Sequence, residues 1–265
     1  MVRYSHLRRP QVLGDSVVVA GRVLRELRRN RRLLIFWILF PTLMLLLFGW
    51  VYADGYGGLG PSFTATAPGI LIGAALFFSC LSGPVALIVG ERERRTLRRL
   101  MVSPMSGKAY FLGVLWAHLG IAAGQVTLVY GITYGMGGGF EGSLLLGLAI
   151  VMLSTVAYVG LGFALGARMA RRTEDVTGLV AAIGVPLLVL GGTFFTPDML
   201  PPFLHVLAQF DPVYHMNAAL RGTASGIVPL SDLAVSLTFL AVFAPTALVL
   251  GTRAYARMLD RERST

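Results

Sequence analysis

The sequence predicts an all-α polytopic membrane protein with six transmembrane helices, and three observations predict it. Six apolar runs, at 33–53, 67–90, 109–134, 143–167, 176–196 and 233–252, are each long enough to cross a hydrocarbon core of roughly 30 Å, which takes about 20 helical residues. Charged residues make up 14% of the chain, well below the roughly 25% of soluble domains. No polar stretch is long enough to build a second unit, so residues 1–265 read as one transmembrane domain. Of the 23 Lys and Arg, all but Arg221 fall in 1–32, 91–108, 168–175 and 253–265, the segments that six crossings place on one side.

Basic residues are retained on the cytoplasmic side of a membrane, which puts both termini and the 91–108 and 168–175 segments in the cytoplasm. Acidic residues are shared between the sides, with Asp54, Glu141, Asp198, Asp211 and Asp232 outward. The net charge of +10 is therefore not that of a nucleic-acid binder, which gathers its charge on one folded face beside base-reading side chains. It hugs the ends of apolar helices and points to membrane lipids as partners. The lone Cys80 lies inside the second run, so the chain forms no internal disulfide and the thiol reads as a small packing group.

Ahead of the first crossing, the pattern predicts an amphipathic interfacial helix over 15–32. Asp15 or Ser16 can cap it, Val17, Ala20, Leu24 and Leu27 form an apolar stripe, and Arg22, Arg25, Arg29 and Arg32 surround that stripe. Such a helix rests at the acyl boundary while its arginines reach for phosphates. Pro41, Pro84, Pro186 and Pro245 fall inside the first, second, fifth and sixth runs, where neighbours must satisfy the carbonyls each proline frees. Glycines spaced by four, at Gly69/Gly73, Gly120/Gly124 and Gly162/Gly166, let helix backbones approach closely in lipid. Away from their ends the runs carry no charge, which argues against a proton- or sodium-coupled carrier. No internal repeat relates the two halves.

Two segments stand out from this frame. Residues 91–104, from Glu91 to Pro104, predict a short cytoplasmic helix between the second and third crossings, with Leu97, Leu100 and Met101 on one face, arginines elsewhere and Pro104 as its stop. A loop that only enforced topology would need the arginines and nothing more, so the apolar knob asks for a docking partner. On the outward side, 198–222 is too polar and proline-rich to span, yet Phe203, Leu204, Leu207 and Phe210 make an apolar stripe, and short re-entrant helices follow.

The 91–104 stretch resembles the loop after the second helix of ABC-2 type permeases, the membrane subunits of one class of ABC transporter. Arg92, Glu93, Thr96, Leu97, Leu100, Ser103 and Pro104 match the family pattern behind the acidic Glu91, while Arg95 and Arg98 stand where the family often has Gly and an acidic residue. Gly191-Gly192-Thr193-Phe194-Phe195-Thr196-Pro197 and its continuation to Arg221 resemble the family's outward segment after its fifth helix. The resemblance covers nearly the whole chain and is nearest to drug exporters of the daunorubicin-resistance type.

That resemblance implies the permease subunit of an ATP-driven exporter in a bacterial inner membrane, moving lipophilic drugs, antibiotics or lipids outward, with export of a polysaccharide or glycolipid as the alternative. The chain carries no phosphate-binding loop, since Val102 stands where the leading glycine before Gly107-Lys108 would be and alanine follows the lysine. ATP and Mg would then be held by a separate cytoplasmic ABC ATPase in two copies, and a second permease subunit, identical or a sibling, would complete the pathway. By the same analogy Glu91, Arg92, Glu93, Thr96, Leu97, Leu100, Ser103 and Pro104 dock the ATPase. Phe194 and Phe195 are candidates for an outer gate, with Phe77 and Phe78 lining the route.

Other readings start from the histidines. His6, His118, His205 and His215 form no convincing catalytic constellation, and His205, Asp211 and His215 lack the spacing and third ligand of a metal site, so no catalytic or metal residue is assigned. His118 and Gln125, seven residues apart, share a helix face and make either an interhelical hydrogen bond, the favoured reading, or a substrate contact. An intramembrane enzyme or an accessory scaffold remain as alternatives.

Overall fold

The computed structural model describes residues 12–94, 106–169, 172–195 and 199–264. Its regular structure over these residues is helical: α1 (Val12–Arg29), α2 (Arg31–Val51), α3 (Leu59–Gly69), a π-helical segment (Ile70–Leu81), α4 (Ser82–Glu93), α5 (Gly107–Gly135), α6 (Leu144–Arg168), α7 (Thr173–Leu190), α8 (Pro202–Ala208), α9 (Pro212–Ser225) and α10 (Leu230–Ser264). Helix is the expected answer to an apolar solvent, because it satisfies each backbone group within one segment.

Among the described residues five helices are, by length and composition, long and apolar enough to cross a membrane: Arg31–Val51, Leu59–Glu93, Gly107–Gly135, Leu144–Arg168 and Leu230–Arg261. The run predicted at 176–196 is not among them. Its helix, α7, has 18 residues, opens on Glu174 and Asp175 and gives way at Gly191 to a tight turn. At 1.5 Å per residue it measures about 27 Å, a little less than the hydrocarbon core.

Leu59–Glu93 is the axis of the bundle. Within its most apolar stretch 72% is buried, against 22% in α2 and 28% in α10, and the π segment packs against α2, α5 and α6. A helix apolar on every side belongs at the centre, and these residues are Ile, Leu, Ala, Phe and Gly in close succession, with Ser79 and Cys80 near the end. The wide i→i+5 turns span the middle of the helix; the sequence carries no signal for them, as π turns have no composition of their own.

Two of the three glycine pairs make the predicted contacts. A Cβ on Gly162 would stand 2.6 Å from the Leu81 carbonyl and one on Gly69 2.5 Å from the Thr193 carbonyl, while Gly166 and Gly73 lie against Val85 and the Thr193 side chain. Gly120 and Gly124 face nothing within 4 Å. A further close approach lies outside that pattern: α6 and α10 meet backbone to backbone at Gly160, where a Cβ would stand 2.5 Å from the Ala247 carbonyl carbon, and Gly251 lies against Gly160 in return.

The N-terminal helix differs from its prediction. Its described residues run from Val12 to Arg29, where Asn30 breaks it and caps α2 by accepting from the Leu33 N–H at 3.3 Å. Arg32 therefore belongs to α2. Ser16, Val19 and Val23 are buried, with Val19 and Ser16 seated over Gly113 of α5. Val17 and Leu24 of the predicted stripe stay exposed. The helix packs on the bundle through a face rotated from that stripe.

Gly160→Leu is expected to destabilise the protein by about 1–3 kcal/mol through overpacking, while Gly124→Leu leaves it unchanged. Thermal unfolding of the detergent-solubilised variants checks this, and equal melting temperatures would contradict the observed contact.

Candidate functional site

At the arginine-rich end, α4 finishes on Glu91-Arg92-Glu93. These three residues are the last turn of the long axial helix, not the start of a separate one; Thr96, Leu97, Leu100, Ser103 and Pro104 lie outside the described residues. Glu91 is 5% exposed. One oxygen accepts from Arg22 Nη2 of α1, and the other accepts from the Tyr110 hydroxyl of α5 at 2.7 Å. Arg22 Nε also donates to Glu26 at 3.1 Å.

Tyr110 in turn stacks on Tyr255 of α10 at 5.4 Å, and Phe163 of α6 stands edge-on to Tyr255 at the same distance. One carboxylate thus ties α1, α4 and α5, and aromatic packing extends the tie to α6 and α10. Of the four predicted surface arginines, Arg22 turns inward to this network. Arg25 bonds its own helix at the Gly21 carbonyl, 3.0 Å away, and Arg29 and Arg32 are exposed.

The predicted pathway residues are dispersed. Phe77 is 2% exposed and fills the core against Tyr158, with its ring over Gly184 of α7. It does not border an open route within this chain. Phe78 packs edge-on to Phe36 and Phe40 of α2. Phe194 stacks on Phe48 at 5.4 Å and its carbonyl accepts from the Tyr52 hydroxyl at 3.0 Å; Phe195 is partly exposed.

His118 and Gln125 are both buried on α5. Gln125 donates to the Trp37 carbonyl of α2 at 2.9 Å. Trp37 is four residues before Pro41, so its carbonyl is the one that proline deprives of a partner. The side-chain amide replaces the missing backbone N–H. His118 instead bonds Val114 of its own helix, Nδ1 to carbonyl, at 2.8 Å. A carbonyl only accepts, so Nδ1 carries the proton and Nε2 is left as an acceptor over Gly83.

On the opposite side, α9 clamps the turn after α7. Asn217 donates to the Gly191 carbonyl at 2.7 Å and Arg221 to the Gly192 carbonyl at 2.9 Å. Gly192 takes a positive φ of 71°, which only glycine adopts without strain. These contacts seat Thr193 against Gly69 and Gly73 at the head of the axial helix. The Asn217 and Arg221 roles were not foreseen, since both look like ordinary loop polarity in the sequence.

Asp211 caps α9 through the Val213 N–H at 2.8 Å, and its other oxygen is buried without a partner among the described residues. Burial raises its carboxyl from 3.8 to about 7, the Val213 bond opposing the rise. His215 donates from Nε2 to the Gln209 carbonyl at 2.9 Å and accepts at Nδ1 from Ser236 at 3.2 Å, which occupies both ring nitrogens.

The family model described as ABC-2 type transporter matches residues 16–224. The chain is 23% identical over 223 residues to the inner membrane transport permease YadH of Escherichia coli strain K12, a match covering 81% of this chain and 84% of that protein. It is 25% identical over 217 residues to the daunorubicin resistance ABC transporter permease protein DrrB1 of Streptomyces coeruleorubidus, covering 78% and 75%. It is 26% identical over 131 residues to the probable multidrug ABC transporter permease YbhR of E. coli strain K12, covering 49% and 35%.

Gln125→Leu is expected to cost about 1–3 kcal/mol by stranding the Trp37 carbonyl, and Pro41→Ala in the same chain to recover most of it. Melting temperatures of the two single variants and the double variant test the pairing; additivity would sink it. For Asp211 the folded carboxyl holds its proton to higher pH than the unfolded one, so stability is greatest below about pH 4 and falls as pH rises to about 7. Asp211→Asn keeps the cap and should flatten the melting profile across that interval.

Proposed function

The chain belongs to the ABC-2 type transporter family, and from that we propose that it is the membrane permease subunit of an ATP-driven exporter, paired with a separate cytoplasmic ABC ATPase in two copies and with a second permease subunit. The observation that carries this reading is the family match over residues 16–224, which takes in the whole 91–104 segment. In this reading α7 is the fifth of six crossings, completed by the turn at Gly191, so that α2, Leu59–Glu93, α5, α6, α7 and α10 span a bacterial inner membrane. Both termini are then cytoplasmic, as the distribution of arginine requires.

The substrates are lipophilic drugs, antibiotics or lipids. Support comes from the drug-resistance and multidrug permeases among the relatives and from crossings that bury no charged group near their centres. Coupling runs through residues 91–104: Leu97 and Leu100 anchor in the ATPase, and its closure around ATP pushes on the end of α4. Because Glu91 joins that end to α1 and α5, the push moves several helices together as a rigid body. The turn at Gly191–Phe195, held by Asn217 and Arg221, is the outward cap.

Leu97→Asp is expected to abolish co-purification of the ATPase and the ATP hydrolysis of the complex while leaving the permease monodisperse. Failure of the unmodified chain to retain any ATPase would overturn the reading.

A further inference from the structure

A cavity of about 550 Å³ opens at the arginine-rich end between α1, α2, α4 and α5. That is within the roughly 300–1,000 Å³ of sites that hold one small ligand. Its rim and its interior differ sharply in chemistry. The rim carries Arg29, Asn30 and Arg94; the walls are Leu27, Leu33, Trp37, Leu87 and Ile121. The floor along α4 is made of Gly83, Ala86 and Gly90. Among the described residues a Cβ on Gly90 would meet nothing within 4 Å, so the trough is open there, and it closes at Gly83, where a Cβ would stand 2.9 Å from His118 Nε2 and 3.3 Å from the Trp37 ring.

Charge completes the picture. Arg22, at the same opening, is engaged by Glu26 and Glu91, whereas Arg29 and Arg94 are exposed and make no ion pair among the described residues. The wall residue Trp37 lies six residues beyond the start of α2 and His118 eleven beyond the start of α5. The apolar end is therefore roughly 9–16 Å inside the bundle, at the depth of acyl chains, when the rim is level with headgroups.

We propose that this cavity is a binding site for one anionic phospholipid, its acyl chain lying along Ala86 and Gly90 and ending against Trp37 and His118, its phosphate between Arg29 and Arg94. A soluble anion would use the rim and leave the Leu27, Leu33 and Leu87 wall wet. A zwitterionic lipid would fill the trough but place a cation beside two arginines. An anionic lipid satisfies both halves.

The site has a built-in reporter. Trp37 is 6% exposed, whereas Trp50 and Trp116 are 63% and 51% exposed, so Trp50→Phe and Trp116→Phe leave one indole that bulk lipid does not reach. The full-length single-tryptophan protein would be reconstituted in phosphatidylcholine bilayers containing chain-brominated phosphatidylglycerol or chain-brominated phosphatidylcholine. Brominated phosphatidylglycerol should quench Trp37 at about tenfold lower mole fraction, with two arginines each contributing to the preference. Arg29→Gln with Arg94→Gln should bring the two lipids to within about twofold, and Gly90→Leu should suppress quenching by either.

Equal quenching by both lipids, or quenching indifferent to both sets of substitutions, would overturn the proposal. Absence of quenching in the unmodified background would do the same, meaning that the chain covers the trough itself. Displacement of the brominated lipid by millimolar inorganic phosphate would reassign the rim to a soluble anion. Arg29 and Arg94 are exposed, so their variants carry the test even if Gly90→Leu does not fold.

Discussion

The structure turns on a carboxylate that has been taken out of water. Removing Glu91 from solvent is costly unless its oxygens are fully occupied, and they are, one by the Arg22 guanidinium and the other by the Tyr110 hydroxyl. Because the partners come from α1 and α5, the requirement to satisfy one charge fixes how three helices meet. The contribution is to arrangement more than to net stability, as buried pairs often break even against apolar replacements. Glu91 also stands at the foot of a helix that runs 35 residues from Leu59, so whatever holds it registers the whole axis.

The other end of that axis is governed by backbone polarity. The turn after α7 exposes carbonyls at Gly191 and Gly192 that no helix satisfies, and α9 supplies Asn217 and Arg221 to them. The same logic operates in mid-bundle, where Pro41 strips the Trp37 carbonyl and Gln125 replaces the lost donor. In each place a polar side chain that looks functional in isolation answers a debt of the backbone in a medium without water. Gln125 would have been a poor guide to substrate for this reason.

This explains which features could be read from the chain and which could not. Crossings are set by length and hydropathy, and five of the six predicted runs correspond to helices of that character. Short helices between the last two runs were legible because proline and a stripe of Phe and Leu mark them. Facing was not legible. In water an apolar face must turn inward, but a residue touching lipid and a residue in the core are equally apolar, so Phe77 in the core and Leu39 on the surface carry the same signal. The rotation of α1 was hidden likewise, since Val17 and Val19 differ in burial and not in type. Glycine spacing identified two contacts correctly and assigned a third, at Gly120 and Gly124, to a face with no neighbour among the described residues; the approach of α6 and α10 at Gly160 involves a glycine with no glycine four residues away.

The packing also constrains where a substrate can travel. From Ile70 to Leu81 the axial helix is buried on nearly every residue, with Phe78 alone partly exposed, and Phe77, Tyr158 and Gly184 close the space beside it. The cavity at the arginine-rich end stops at His118 and Ile121, below that closed layer. Among the described residues a bundle so filled at its centre offers no route along its own axis, and close-packed interiors do not open by small adjustments. In the proposed reading a pathway then runs along an outer face, where α2 presents Ile38, Leu39, Leu43 and Leu47 to its surroundings. An outer face encloses a pathway only when a second bundle stands against it, so under that reading the packing of one chain argues for transport between two.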